Sequence, residues 1–129
     1  MIHAAEFFRQ LLTAPIPCIA IENPTMHGEA LRRIGQRPAQ RIQPYYFGDD
    51  ASKRTCLWLK NIRPLMPTHY VQPRIVNGQE RWANQTDSGQ NRLPPSADRW
   101  QLRARTYPGI AAAMADQWTQ EFQLLAAEG

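Results

Sequence analysis

Lysine is nearly missing from this chain: Lys53 and Lys60 stand against 13 arginines, in 129 residues with a formal net charge of +4. A guanidinium presents a planar fork of donors suited to phosphate or carboxylate, where an ammonium is a point charge, so the balance favours partners carrying such groups. An excess of four admits nucleic acid without requiring it. Cysteine is equally sparse. Cys18 and Cys56 sit in apolar surroundings without the paired spacing of a metal knuckle or redox pair, which excludes a disulfide framework and predicts two buried, reduced thiols. No apolar run approaches the roughly 18 residues of a membrane span. The opening "MIHAAEFFRQLL" carries Glu6 and Arg9 inside its greasy part, against a secretory signal, so a soluble cytoplasmic protein is expected. There is no glycine-rich phosphate loop and no internal repeat. His3, His27 and His69 show no ligand spacing with each other or the cysteines, so the residues themselves call for no metal and no cofactor.

What is present reads as one α/β domain spanning 1–129, long enough for a single core. "AAEFFRQLLTA" places Ala5, Phe8, Leu11 and Leu12 on one side at helical spacing. Pro15 and Pro17 end that helix, and the run Ile16–Ile21 reads as a short strand buried on both faces, as in a parallel sheet covered by helices. "GEALRRIG" predicts a two-turn helix closed by Gly35, "RIQPYYF" a strand interrupted by Pro44, and "TCLWL" a third strand.

From Ile62 to Pro95 the texture changes: prolines recur, and "RIVNGQERW" reads as a hairpin turning at Asn77-Gly78. This 60–97 region is a loop and hairpin insertion, in which "ANQTDSGQN" is expected to be mobile and Trp82 is either core or an interaction anchor. Beyond it, Pro108 begins a helix with Ile110, Met114, Trp118 and Leu125 near one face. "DRWQLRART" groups Arg99, Arg103 and Arg105, a cluster suited equally to a DNA backbone or an acidic protein.

The stretch "IAIENPTMHG" places a carboxylate where a greasy strand ends. In open α/β sheets ligands bind beyond the carboxyl ends of strands, so Glu22 is either a polar strand terminus or a group that meets a base edge, with Asn23 holding the loop and Pro24 stiffening the exit.

The blocks "AAEFFRQLLTAPIPCIAIENPTMHG", "IQPYYFGDDASKRTCLWLKNIRPLMPT" and "PPSADRWQLRARTYPGIAAAMADQW" resemble the carboxyl-terminal portion of small phage and prophage proteins related to cytosine-5 DNA methyltransferases. The resemblance runs nearly end to end. It implies a truncated Rossmann-like half-domain: a small mixed sheet flanked by helices, encoded by a phage and working in the bacterial host cytoplasm. In that family a Glu-Asn-Val or Glu-Asn-Pro signature engages the flipped cytosine, and Glu22, Asn23 and Pro24 match it. "SKRTCLWL" resembles a family block pairing basic residues with a strand, which implies phosphate contacts from Lys53 and Arg54.

Family members also carry a glycine-rich methyl-donor loop and a Pro-Cys nucleophile upstream of these blocks, and neither precedes the first helix here. "PIPC" is no substitute, because Cys18 enters the strand that Glu22 leaves, four residues away at ~3.3 Å each. Cys18 is read as a strand thiol packed in the core. The resemblance therefore implies an isolated chain without S-adenosylmethionine or methyl transfer, unless a complementary chain supplies the missing half.

Three roles follow: a DNA-binding remnant or subunit, a phage-encoded inhibitor that binds a host defence protein, or half of a split methyltransferase. The missing neighbour strand also makes Ile16–Ile21 an edge. Its uncharged sequence "IPCIAI" predicts cover by a second copy in a homodimer, by another chain, or by folding of the chain's own segments.

Overall fold

The computed structural model describes residues 2–24, 26–92 and 105–120. The chain divides into two compact units, one formed by Met1–Ile42 with Arg54–Pro64, the other by Gln43–Lys53 with Leu65–Gly129. Helices and strands are mixed throughout, and all the described ladders are antiparallel.

The first unit holds α1 (Ile2–Leu12), β1 (Ile19–Pro24), α2 (Gly28–Ile34), β2 (Gln40–Ile42) and β3 (Thr55–Lys60). Its sheet has the order β1-β3-β2. Because β1 and β2 each run antiparallel to β3, they are parallel to one another, and α2 carries the chain over β3 from one to the other. This is a split βαβ unit. The expected parallel neighbours exist, but an antiparallel strand stands between them, and this corrects the sequence reading of a parallel sheet.

The strand after α1 is also displaced, from Ile16–Ile21 to Ile19–Pro24. Proline explains the shift: Pro17 has no N–H to give a ladder. Residues 16–18 are held instead by bonds outside the ladder, Ile16 N–H to the Ala14 carbonyl at 2.7 Å and the Asn61 amide to the Pro17 carbonyl at 2.7 Å. Ile16 is exposed, and Ile19 and Ile21 are only half-buried, so β1 is not buried on both faces. As the first strand of the sheet it is an edge, with no other described strand on its outer side.

Ala5, Phe8 and Leu12 of α1 recur at helical spacing and pack with Ile34, Cys56 and Trp58, while Ile21, Met26 and Leu31 close the margin. Leu11, expected on the same side, is 40% exposed. Phe8 meets Trp58 edge-on at a centroid distance of 4.7 Å, a geometry contributing about 0.5–1.5 kcal/mol beyond area burial. The Trp58 indole donates to the Gln36 carbonyl at 2.9 Å, satisfying the one polar atom of a residue with no exposed surface. Gly35 caps α2 in the left-handed conformation, φ 77°, and returns its N–H to Leu31.

Cys56 is buried as expected, but Cys18 is half-buried just before β1, its Sγ 3.7 Å from the Asn61 carbonyl, and takes no part in the core.

The second unit begins with a 3-10 turn at Pro44–Tyr46, where the sequence pattern predicts strand; Pro44 opens the turn and removes a ladder donor. The hairpin of β4 (Arg74–Val76) and β5 (Gln79–Arg81) turns at Asn77 and Gly78, φ 51° and 77°, the positive pair of a type I′ turn. Helix α3 (Pro108–Ala113) runs on into a π-helical turn at Met114–Trp118. Ile110, 1% exposed, and Ala113 are its buried positions; Leu125 lies outside the described residues.

Trp82 is no interaction anchor. It is 5% exposed, stacks on Tyr45 at 3.8 Å and donates its indole N–H to Val71 at 3.0 Å. Nor is the following polar loop loose. The Arg74 guanidinium binds the Trp82 carbonyl at 2.8 Å, the Gln85 carbonyl at 2.7 Å and the Asp87 carboxylate at 3.3 Å. Polar composition predicts mobility only where backbone groups lack partners, and one guanidinium supplies them here.

Candidate functional site

Glu22 lies within a ladder, not beyond a strand end. In β1 it faces Leu57 of β3, and Gln40 of β2 faces Leu57 from the other side. Directly opposed residues share a face, so Glu22, Leu57 and Gln40 form one row across the sheet. Asn23 is the next residue and points to the other face, where its row is Asn23, Cys56 and Arg41. Cys56 belongs to the helix-covered core, so Asn23 is on the helix side and Glu22 on the opposite side. The two signature residues do not converge on one ligand through their side chains. Cys56 projects away from the face of Glu22, and Cys18 is four residues up the chain, so no thiol stands beside the carboxylate.

The basic residues fall into two sets. In the second unit the Lys53 ammonium donates to the Arg105 carbonyl at 3.0 Å, and the Lys53 N–H donates to the Gln43 side-chain carbonyl at 2.8 Å. Two basic residues separated by 52 positions are thereby joined through the backbone of one of them. Arg105 is exposed. Arg54, the next residue along the chain, is exposed and opens the returning segment of the first unit. Arg99 and Arg103 lie outside the described residues.

The segment just before Lys53 explains the placement. Asp49 accepts the Gly109 N–H at 2.8 Å at the start of α3, and Asp50 accepts the Ala83 N–H at 2.9 Å. Ser52 and Asn84 exchange two bonds, each of 2.8 Å. The "GDDAS" carboxylates thus bind backbone, leaving them committed to structure. Tyr107 is raised above the ordinary phenol range, first by burial and then by the Asp49 charge, against a lowering hydrogen bond from Asn84. No group of three or more metal-ligating side chains occurs among the described residues.

Other arginines are consumed internally. Besides Arg74, Arg81 donates to the Asp87 carbonyl at 3.1 Å, to the Glu80 carbonyl at 2.8 Å and to the Gln79 side chain, and Arg92 reaches the Gln85 carbonyl at 2.7 Å. The hairpin's basic appearance is therefore a structural device. The sequence motifs point to the 53–54 pair and the 99–105 cluster and not to the arginines of α2 and β2, which a local count of charge marks.

No family model, curated protein or solved structure matches the chain.

Proposed function

We propose that this chain is a DNA-binding module of methyltransferase-like descent, phage-encoded, acting as a remnant or subunit and carrying out no methyl transfer by itself. The observation that supports this reading is the bond from the Lys53 ammonium to the Arg105 backbone carbonyl, which brings two basic residues distant in sequence together in the second unit, with Arg105 exposed. The separation of Glu22 and Asn23 onto opposite faces of β1, with no thiol beside the carboxylate, supports the non-catalytic half of the reading. A base-contacting carboxylate without a nucleophile cannot open a cytosine ring to methylation. The finer fold reading, a truncated Rossmann-like half-domain, draws support from β1-α2-β2, two parallel strands joined by a helix, although β3 lies between them.

No helix among the described residues is long and apolar enough to cross a membrane. Nothing in the chemistry above calls for a cofactor. The test is fluorescence anisotropy on a labelled duplex with the whole chain. Binding should weaken steeply with salt, and K53A/R54A should lower the slope of log K against log salt by about 2. Calorimetry with S-adenosylmethionine should show no binding. Donor binding at micromolar affinity would overturn the non-catalytic reading. Unchanged duplex affinity in K53A/R54A would remove the proposed contacts and favour a protein partner, as an inhibitor of a host defence protein would need.

A second reading, assembly with a second copy, is favoured by the open outer side of β1 in the described sheet.

A further inference from the structure

The chain's excess of cations is concentrated in the first unit. Its 15 lysines and arginines outnumber its 11 acidic residues by four. Arg32, Arg33, Arg37, Arg41 and Arg54, all in the first unit, set against Glu29, account for that whole excess and leave ten charges of each sign elsewhere. All five are exposed. Only Arg33 is neutralised, by Glu29 at 3.1 Å one helical turn away. Among the described residues no hydrogen bond or ion pair engages the side chains of Arg32, Arg37, Arg41 or Arg54. The contrast with Arg74, Arg81 and Arg92, each spent on loop carbonyls, separates cations that build the fold from cations left to solvent.

Their frame is rigid. Gly35 closes α2, the Gln36 carbonyl is held by the buried Trp58 indole at 2.9 Å, and the Ala39 N–H reaches the Leu57 carbonyl at 2.8 Å. Arg37 is therefore anchored on both sides, and Arg41 lies in β2 opposite Cys56. Cys56 packs with Ile34 of α2, so Arg41 projects to the face on which α2 lies, bringing it to the same side as Arg32 and Arg33 in the last turn of that helix.

The composition of the patch selects its partner. None of the exposed large hydrophobic residues, Phe7, Leu11, Ile16, Met66, Tyr70 and Ile75, belongs to it. A protein interface needs an apolar centre with aromatic anchors, and a single-strand groove needs aromatic stacking platforms; this surface offers neither. Bare guanidinium groups on a fixed frame suit a regular array of phosphates. We infer that the α2–β2 face of the first unit is a second DNA contact, gripping the backbone of a duplex through Arg32, Arg37 and Arg41 with Arg54 at its margin. It rests on the DNA-binding reading above, shares Arg54 with it, and adds Arg32, Arg37 and Arg41, which that reading does not include.

The experiment compares the whole wild-type chain, R32Q/R37Q/R41Q, R32K/R37K/R41K and K53A/R54A on one labelled duplex across a salt series, with a thermal melt of each protein. The glutamine variant should bind roughly tenfold or more weakly and its salt slope should fall by about 3, whereas the lysine variant keeps the slope because charge, not fork geometry, sets counterion release. An unchanged glutamine variant beside a weakened K53A/R54A overturns this surface and leaves the first reading standing. A wild-type chain that binds no duplex overturns both. Displacement of duplex by poly-glutamate at equal charge concentration as readily as by unlabelled duplex overturns the phosphate-backbone assignment. If the triple glutamine variant melts without cooperativity, R41Q alone repeats the test, with an expected slope change of about 1.

Discussion

Single residues hold much of this structure through buried faces and hydrogen bonds. Trp58 contributes both a buried indole face and a donor to the loop after α2. Replacing it with phenylalanine should cost about 1 kcal/mol for the lost bond to Gln36, and with alanine about 3–5 kcal/mol, because a cavity opens against Phe8 and Leu12. Urea midpoints measured at unchanged slope check both values. Arg74 is the corresponding residue of the second unit. R74A should destabilise by about 2–4 kcal/mol, since two loop carbonyls and a carboxylate lose a charged donor together. R74K should recover only part of that, one ammonium being unable to span all three acceptors. Gly109 is sterically required: a β-carbon there would run into the Phe47 carbonyl and the Asp49 carboxylate. G109A should therefore loosen the start of α3, read as faster amide exchange at Ala111, whose N–H bonds Tyr107 at 3.0 Å.

Among the elements, β1 carries the clearest liability. It is a six-residue edge strand whose nearest charge is Glu22, and edges usually carry lysine, proline or a bulge to prevent pairing. Pro24 blunts its last position and nothing blunts Ile19–Ile21. In an antiparallel pair of two β1 strands related by a twofold axis normal to the sheet, opposed residues share a face, so the strands register on a single residue. Centring on Ile21 sets Ile19 against Asn23 and Ala20 against Glu22, whereas centring on Glu22 opposes two carboxylates. The first register is expected. Light scattering at high micromolar concentration should report a dimer for the wild-type chain and a monomer for A20E, because Ala20 is exposed and a glutamate there would oppose Glu22 of the second copy at that interface. A monomeric wild type indifferent to A20E would show the edge to be covered in another way.

For the whole molecule, pH is the most direct probe of how tightly the aromatic residues are held. Tyr45 is pushed up to about 12, first by burial and then by the charge and hydroxyl of Tyr46 and the charges of Tyr70 and Glu80. An unfolded phenol titrates near 10. The folded state thus favours the protonated form; its contribution is complete below pH 10 and is lost as pH rises from 10 to 12. Thermal midpoints should fall across that window, and Y45F should reduce the fall. Phenolate absorbance should show Tyr45 and Tyr107 ionising later than a free phenol.

Much of the local structure was legible from residues alone. Asn77-Gly78 adopts the turn it predicts, Gly35 caps α2, Pro108 starts α3 and "TCLWL" forms β3, because each is decided by the φ preferences and short-range sterics of the residues concerned. The prolines at 15 and 17 predict the helix end, and Pro17 also delays β1, since it has no N–H to give a ladder. Partner choice was not legible. That β3 inserts between β1 and β2, which face of the sheet Glu22 takes, that Trp82 is buried against Tyr45, and that Arg74 is spent on a loop while Arg37 and Arg41 are left to solvent all depend on residues distant in sequence. The amino-acid sequence determined where helices, turns and one core strand form, since those conformations are set within a few residues. Only the tertiary structure decided strand direction, side-chain face and which cations remain available to a partner, because those are settled by long-range pairing, and a shift of one residue in that pairing exchanges every inward side chain for an outward one.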